Sequence, residues 1–192
     1  MATELETTTD HLVKVLHLLV LSFSWGVQVW VPFIAVVVFR QVPPHTFGLV
    51  QGQIFPVYFY CLLGSNTISL TVYVVFHCRE LLDWHQRVQM VLYLVAVLMA
   101  CLNARWLGPA AAELVLQMRE VEEEHGLGEQ KEQEEQKEQK EAYAKLSEKD
   151  PKYRGYRRAF SRYHGLANLC NLLGFICTTA NLTYTALHLS SI

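Results

Sequence analysis

VQMVLYLVAVLMACL, residues 88–102, is an unbroken apolar core, and how it is read decides the fold. Lipid offers no partner for free backbone groups, so a chain crosses a bilayer core about 30 Å thick as a helix of roughly 20 mostly apolar residues. Extended to about Leu107 the stretch reaches that length, although Asn103 and Arg105 fall at its end. Three other runs qualify: Leu12 to Phe39, interrupted only by Lys14, His17 and Gln28; about Gln53 to Phe76; and about His164 to Leu189. Apolar residues on every face of each run weigh against a soluble bundle of buried helices. The expected fold class is therefore all-α and integral to a membrane, a four-transmembrane-helix bundle with a long charged loop between helices 3 and 4.

Composition agrees with that division. The chain of 192 residues is 52% hydrophobic and only 18% charged, and a large share of its charges lies between Glu120 and Asp150. What remains is too apolar for an ordinary soluble domain. Four segments follow: a polar amino terminus (1–11), three spans (12–107), a polar helical and low-complexity loop (108–163) and a fourth span (164–189). MATELETTTD is acidic and lacks the basic region and cleavage site of a secretory signal, so the first span is expected to stay as an anchor. Cys61, Cys101, Cys170 and Cys177 fall within spans and Cys78 near a boundary, which reads as packing rather than as a disulfide scaffold. Asn181-Leu182-Thr183 has the form of a glycosylation sequon but lies inside the fourth span, out of reach of the modifying machinery.

Orientation follows from Lys and Arg. Arg40, Arg105, Arg119, Lys152, Arg154, Arg157, Arg158 and Arg162 fall on one side of four spans, and Lys14, Arg79 and Arg87 on the other. The excess places the long loop in the cytosol. Within it, AAELVLQMREVEEEHG reads as a helix entered through Pro109 and closed by Gly126 and Gly128. EQKEQEEQKEQKEA, Glu129 to Ala142, has no apolar residue before Ala142 and cannot supply a coiled-coil seam; it reads as a solvated helix or a disordered linker. KDPKYRGYRRAFSRYHG alternates basic and aromatic residues just before a span. Lys152, Arg154, Arg157, Arg158 and Arg162, with Arg105, are expected to lie against anionic headgroups, each worth roughly 1 kcal/mol near the surface. Nucleic-acid binding is not expected at a net charge of −2 with no basic domain.

At about 100° per residue, His164, Asn168 and Asn171 fall on one face of the fourth helix, and His17, Ser24 and Gln28 on one face of the first, with Pro32 continuing it. Tyr58, Ser65 and Ser69 share a face of the second; Met99, Asn103 and Trp106 mark one face of the third. Lipid would not tolerate such stripes and a bundle interior would. Because alternate helices run in opposite directions, the amides Gln28, Asn103, Asn168 and Asn171 are expected to meet in one half of the bundle, as interhelical glue or as the lining of a solute cavity. His17 falls in the other half, so it and His164 share no ligand. Small pairs such as Ser22/Gly26, and Gly165 with Gly174, favour close helix approach.

Enzymatic readings fare poorly. HExxH, GxSxG, a phosphate-binding glycine loop and CxxC are all absent, and no span carries Asp or Glu. No enzyme activity, metal or cofactor is expected. A haem-carrying electron carrier would need histidines facing one another at matched depth, whereas His77, His85 and His188 lie at span ends. The partners expected are the bilayer and either a second copy or another membrane protein, since four spans leave a lone copy little volume for a gated path.

HLLVLSFSWGVQVWVPFI, HTFGLVQGQIFPVYFY, NARWLGP, EKDPKYR and FSRYHGLANLCNLL together resemble the transmembrane protein 205 family over nearly the whole chain. Only the acidic amino terminus and the insert Glu129 to Ala142 look peculiar to this chain. The resemblance implies four spans, plasma-membrane and vesicular locations, and a part in vesicular traffic or in resistance to platinum drugs through export or sequestration. The alternative is a non-transporting accessory or scaffold protein. Met90, Met99, Cys101 and Cys170 offer the soft sulfur that platinum favours. The resemblance carries over no catalytic or ligand motif.

Overall fold

The computed structural model is helical throughout its described residues, 2–41, 44–77, 83–127 and 136–188, with side chains described over 11–37, 52–76, 83–127 and 141–187. Its elements are α1 (Ala2–Gln41), α2 (Pro44–His77), α3 (Trp84–Leu102), a π-helical turn (Asn103–Leu107), α4 (Gly108–Glu124), α5 (Gln136–Lys149) and α6 (Pro151–His188). Four stretches are long and apolar enough to cross a membrane: His11–Val37, Gly52–Phe76, a part of Trp84–Glu124 and a part of Pro151–Leu187. Pro32 and Pro56 lie inside α1 and α2, which a spanning helix tolerates because neighbouring groups satisfy the freed carbonyl.

The four long helices form a ring in which α1 packs on α2, α2 on α3, α3 on α6 and α6 on α1. Exposure runs opposite to that of a water-soluble bundle. Val57, Phe33 and Trp30 are 64%, 62% and 61% exposed, whereas Ser24, Ser69 and Asn181 are fully buried. Only a surround of hydrocarbon makes that arrangement favourable. Two apolar clusters bracket the polar residues: Tyr58, Phe59, Leu62, Ala100 and Ala104 at one end, and Leu21, Tyr73 and Tyr93 at the other.

The connection expected as a long charged loop is built of helix over its described residues. α3 does not stop at the membrane edge. It passes through the π turn into α4, which carries Pro109 in its first turn and ends at Gly126, whose φ of 70° only glycine adopts freely. α5 then packs on α6, and Asp150 starts α6 by accepting hydrogen bonds from the Lys152 and Tyr153 amides (2.7 and 3.3 Å). Val121, Leu146 and Tyr153, with Met118, Leu127 and Tyr156 against them, give this head a small core of its own. The Tyr153 hydroxyl donates to Glu122 at 2.6 Å and the Tyr143 hydroxyl to the Leu127 carbonyl at 3.4 Å. Burial, with the nearby Glu122 charge, raises the Tyr143 phenol above its ordinary value while Arg119 works the other way, so that hydroxyl keeps its proton. Residues 129–135 of the charged insert lie outside the described residues, as do Gly128 and Cys78.

Candidate functional site

Several buried polar side chains form a layer across the bundle, while buried Gln89 lies near the start of α3, away from the head. Gln28 is the hub. Its Nε2 donates to the Ser24 carbonyl and Oγ on its own helix, both at 3.3 Å, and to Thr178 Oγ1 of α6 at 3.2 Å. Thr178 passes its own proton to the Gly174 carbonyl at 2.9 Å, and Ser24 Oγ reaches Asn66 Oδ1 of α2 at 3.5 Å. Tyr58 Oη donates to Asn171 Oδ1 at 2.7 Å, tying α2 to α6. Asn103 Nδ2 donates to the Ala167 carbonyl at 3.1 Å, tying α3 to α6. Each long helix thus has a polar tie to another. Among the described residues, the buried side-chain polar atoms with no hydrogen-bond partner within the protein are Ser69 Oγ, Asn103 Oδ1 and both amide atoms of Asn181.

Asn103 continues the inward seam of Gln89, Tyr93, Ala96 and Ala100 on α3 and opens the π turn. Its wider i→i+5 turn gains one residue over an α-turn, so Ala104 is buried beside Asn103, and Leu107 after it, while Arg105 and Trp106 face out. Trp106, expected on the face of Met99 and Asn103, is 59% exposed. The turn closes against Phe59: a Cβ on Gly108 would lie 2.7 Å from the Asn103 carbonyl and 3.3 Å from the Phe59 ring. Glycine at 108 leaves room for the Asn103 carbonyl of the turn and for the Phe59 ring.

Of the four amides expected to meet, Gln28, Asn103 and Asn171 do, around a cavity of about 10 Å³ that Asn66 and Gly174 also border. That is room for at most about one water molecule. Asn168 does not join them. It is exposed and, with His164, lines a separate groove of about 470 Å³ between α2, α4 and α6. His164 stacks on Phe160 with centroids 5.3 Å apart, whereas His17 Nε2 meets Tyr93 Oη at 3.3 Å at the opposite end. Ser24 is fully buried, as its spacing suggested. Arg105 Nη1 reaches the Tyr60 hydroxyl at 3.5 Å on the outer face rather than turning in to the amides. Lys152, Arg157, Arg158 and Arg162 are exposed, and Arg154 binds the Ser147 and Glu148 carbonyls that end α5.

Asn66, Thr178 and Asn181 were not singled out as members of the layer. For Thr178 and Asn181 the signal is a seam on α6: Ala167, Asn171, Gly174, Thr178 and Asn181 follow steps of four and three, the interior period of packed helices. Taking only histidine and asparagine as polar set the face of α6 on His164 and Asn168, one step too far round. Of the sulfur-bearing residues, Met99 and Cys170 border the same small cavity, whereas Met90 packs on the Tyr73/Tyr93 cluster. Among the described residues no three His, Cys, Asp or Glu side chains group as a metal site. Of the end histidines weighed for haem, His85 is exposed, and the side chains of His77 and His188 lie outside the described residues.

Comparison with known proteins matches residues 19–120 to a family model described as Domain of unknown function (DUF4149). Transmembrane protein 205 of Danio rerio is 60% identical to this chain over 193 aligned residues, covering 100% of both. No solved structure matches the chain.

Proposed function

The chain belongs to the transmembrane protein 205 family, and from that membership and its geometry we propose that it is a non-enzymatic accessory protein of vesicle and plasma membranes. It alters platinum-drug handling through the membranes and partners it engages, without passing the drug through its own bundle. The observation that carries this reading is that the space among the amides is only about 10 Å³ and that hydrogen bonds link all four spans around it. A solute path through one copy would need a wetted space many times larger. The excess of Lys and Arg at the end bearing α4, α5 and the start of α6 supports a cytosolic head, where a partner or a membrane surface would meet it.

The test is platinum accumulation in cells expressing the wild type, Gln28→Leu or Asn171→Leu, each checked for folded yield and location. Wild type is expected to change accumulation and both variants, where they fold and traffic normally, to act like it. Loss of the effect in a well-folded, correctly located amide variant would overturn the reading in favour of transport.

A further inference from the structure

The direct ties between helices leave part of the amide layer's hydrogen-bonding capacity unused, and what is left over faces the small cavity. Four polar side chains border that cavity: Gln28 from α1, Asn66 from α2, Asn103 from the π turn and Asn171 from α6. The rest of its lining, Leu62, Ala96, Met99, Ala100, Cys170 and Gly174, brings no strong side-chain donor or acceptor. Two of the amides have their orientation fixed. Asn103 donates to the Ala167 carbonyl and Gln28 to the Ser24 carbonyl. A carbonyl has no proton to give, so each amide must turn its nitrogen to that bond and keep its oxygen for another. Asn103 Oδ1 is buried and, among the described residues, has no partner within the protein. Gln28 Oε1 lies 3.9 Å from where a Cβ on Gly174 would stand, beside the cavity that Gly174 borders. Asn66 and Asn171 present the opposite sense: their oxygens accept from the Ser24 and Tyr58 hydroxyls, which leaves the donor end of each.

Inside a bundle surrounded by hydrocarbon an unpaired amide atom is costly, because nothing outside the protein replaces the missing bond. Here side chains with two acceptors and two donors to spare surround a space of about 10 Å³, about what one water molecule needs. Water matches that set. It donates twice and accepts twice, whereas a metal cation would be repelled by the two N–H donors and an anion by the two oxygens. A larger solute has no room. We propose that the amide layer holds one internal water molecule, which donates to Asn103 Oδ1 and Gln28 Oε1 and accepts from Nδ2 of Asn66 and Asn171. That molecule joins all four spans at a single point, whereas each direct bond joins two. The assignment does not depend on how the protein affects platinum drugs.

Gly174 supplies the test. A methyl group there would stand 3.8 Å from Met99 Cβ and 3.9 Å from Gln28 Oε1, ordinary contact distances, and alanine is the better helix former. A dry layer therefore makes Gly174→Ala more stable than wild type. A hydrated layer makes it less stable, because the methyl takes the water's space and leaves the amide atoms unpaired. Gly174→Ser puts a hydroxyl in that space and is expected to recover part of the loss, although crowding alone would make the larger side chain worse. Thermal melts of the full chain in nanodiscs are expected to place the Gly174→Ala midpoint a few degrees below wild type, with Gly174→Ser between them. A structure of the wild-type chain at a resolution that shows ordered water is the second measurement, and it decides the matter if Gly174→Ala does not fold. One density peak is expected within hydrogen-bonding distance of Asn103 Oδ1 and Gln28 Oε1. A Gly174→Ala midpoint at or above wild type would overturn the proposal, as would Gly174→Ser melting below Gly174→Ala. So would Asn103 Oδ1 bonded directly to another side chain with no density beside it.

Discussion

Gln28 donates to three oxygens on two helices, and its neighbours in the layer each join a different pair. In hydrocarbon an unpaired amide has no water to turn to, so such ties hold helices in register, although each is worth only about 0.6–2 kcal/mol because the separated helices also find partners. Gln28→Leu and Thr178→Val remove the two ends of one bond. A double-mutant cycle between them, read by unfolding in mixed micelles, is expected to give a coupling of about 0.6–2 kcal/mol; additive effects would remove Gln28 from the role of hub. Gln28 and Ser24 were legible in the sequence because α1 is apolar elsewhere on that face. Thr178 was not, since threonine in a span satisfies itself by donating back to the carbonyl four residues earlier, as it does here to Gly174, and so resembles any lipid-facing threonine.

Among the elements, the π turn at NARWL has the largest local consequence. It buries Ala104 beside Asn103 and carries the third span onward into α4. Sequence periodicity assumed 100° per residue throughout, and one π turn breaks that assumption, which is why Trp106 lies outside. Gly108→Ala puts a methyl group against the Asn103 carbonyl. It is expected to cost about 1–3 kcal/mol, the usual range for overpacking, although alanine is otherwise the better helix former. A variant more stable than wild type in a thermal melt would mean that the turn relaxes to α-helix without loss. α6 shows the converse: its span was legible from length and hydropathy, but its inward face required counting Gly174 and Thr178 with the amides.

For the whole molecule, apolar length made the four spans legible, because backbone in lipid must satisfy itself within each helix. Of the head, α4 was legible from AAELVLQMREVEEEHG with Pro109 before it and Gly126 at its end, but the packing of the head was not. Its core rests on a few apolar side chains, Val121, Leu146 and Tyr153 foremost, scattered through glutamate, lysine and glutamine whose pattern reads as solvated. The picture that results is a bundle closed by its own polar side chains, with a packed helical head at one end and an apolar groove on its flank. Purified protein in liposomes, assayed for uptake of a platinum complex and of small neutral solutes, tests the closed bundle most directly. The account predicts uptake equal to that of protein-free vesicles. Saturable uptake that Gln28→Leu abolishes would contradict it.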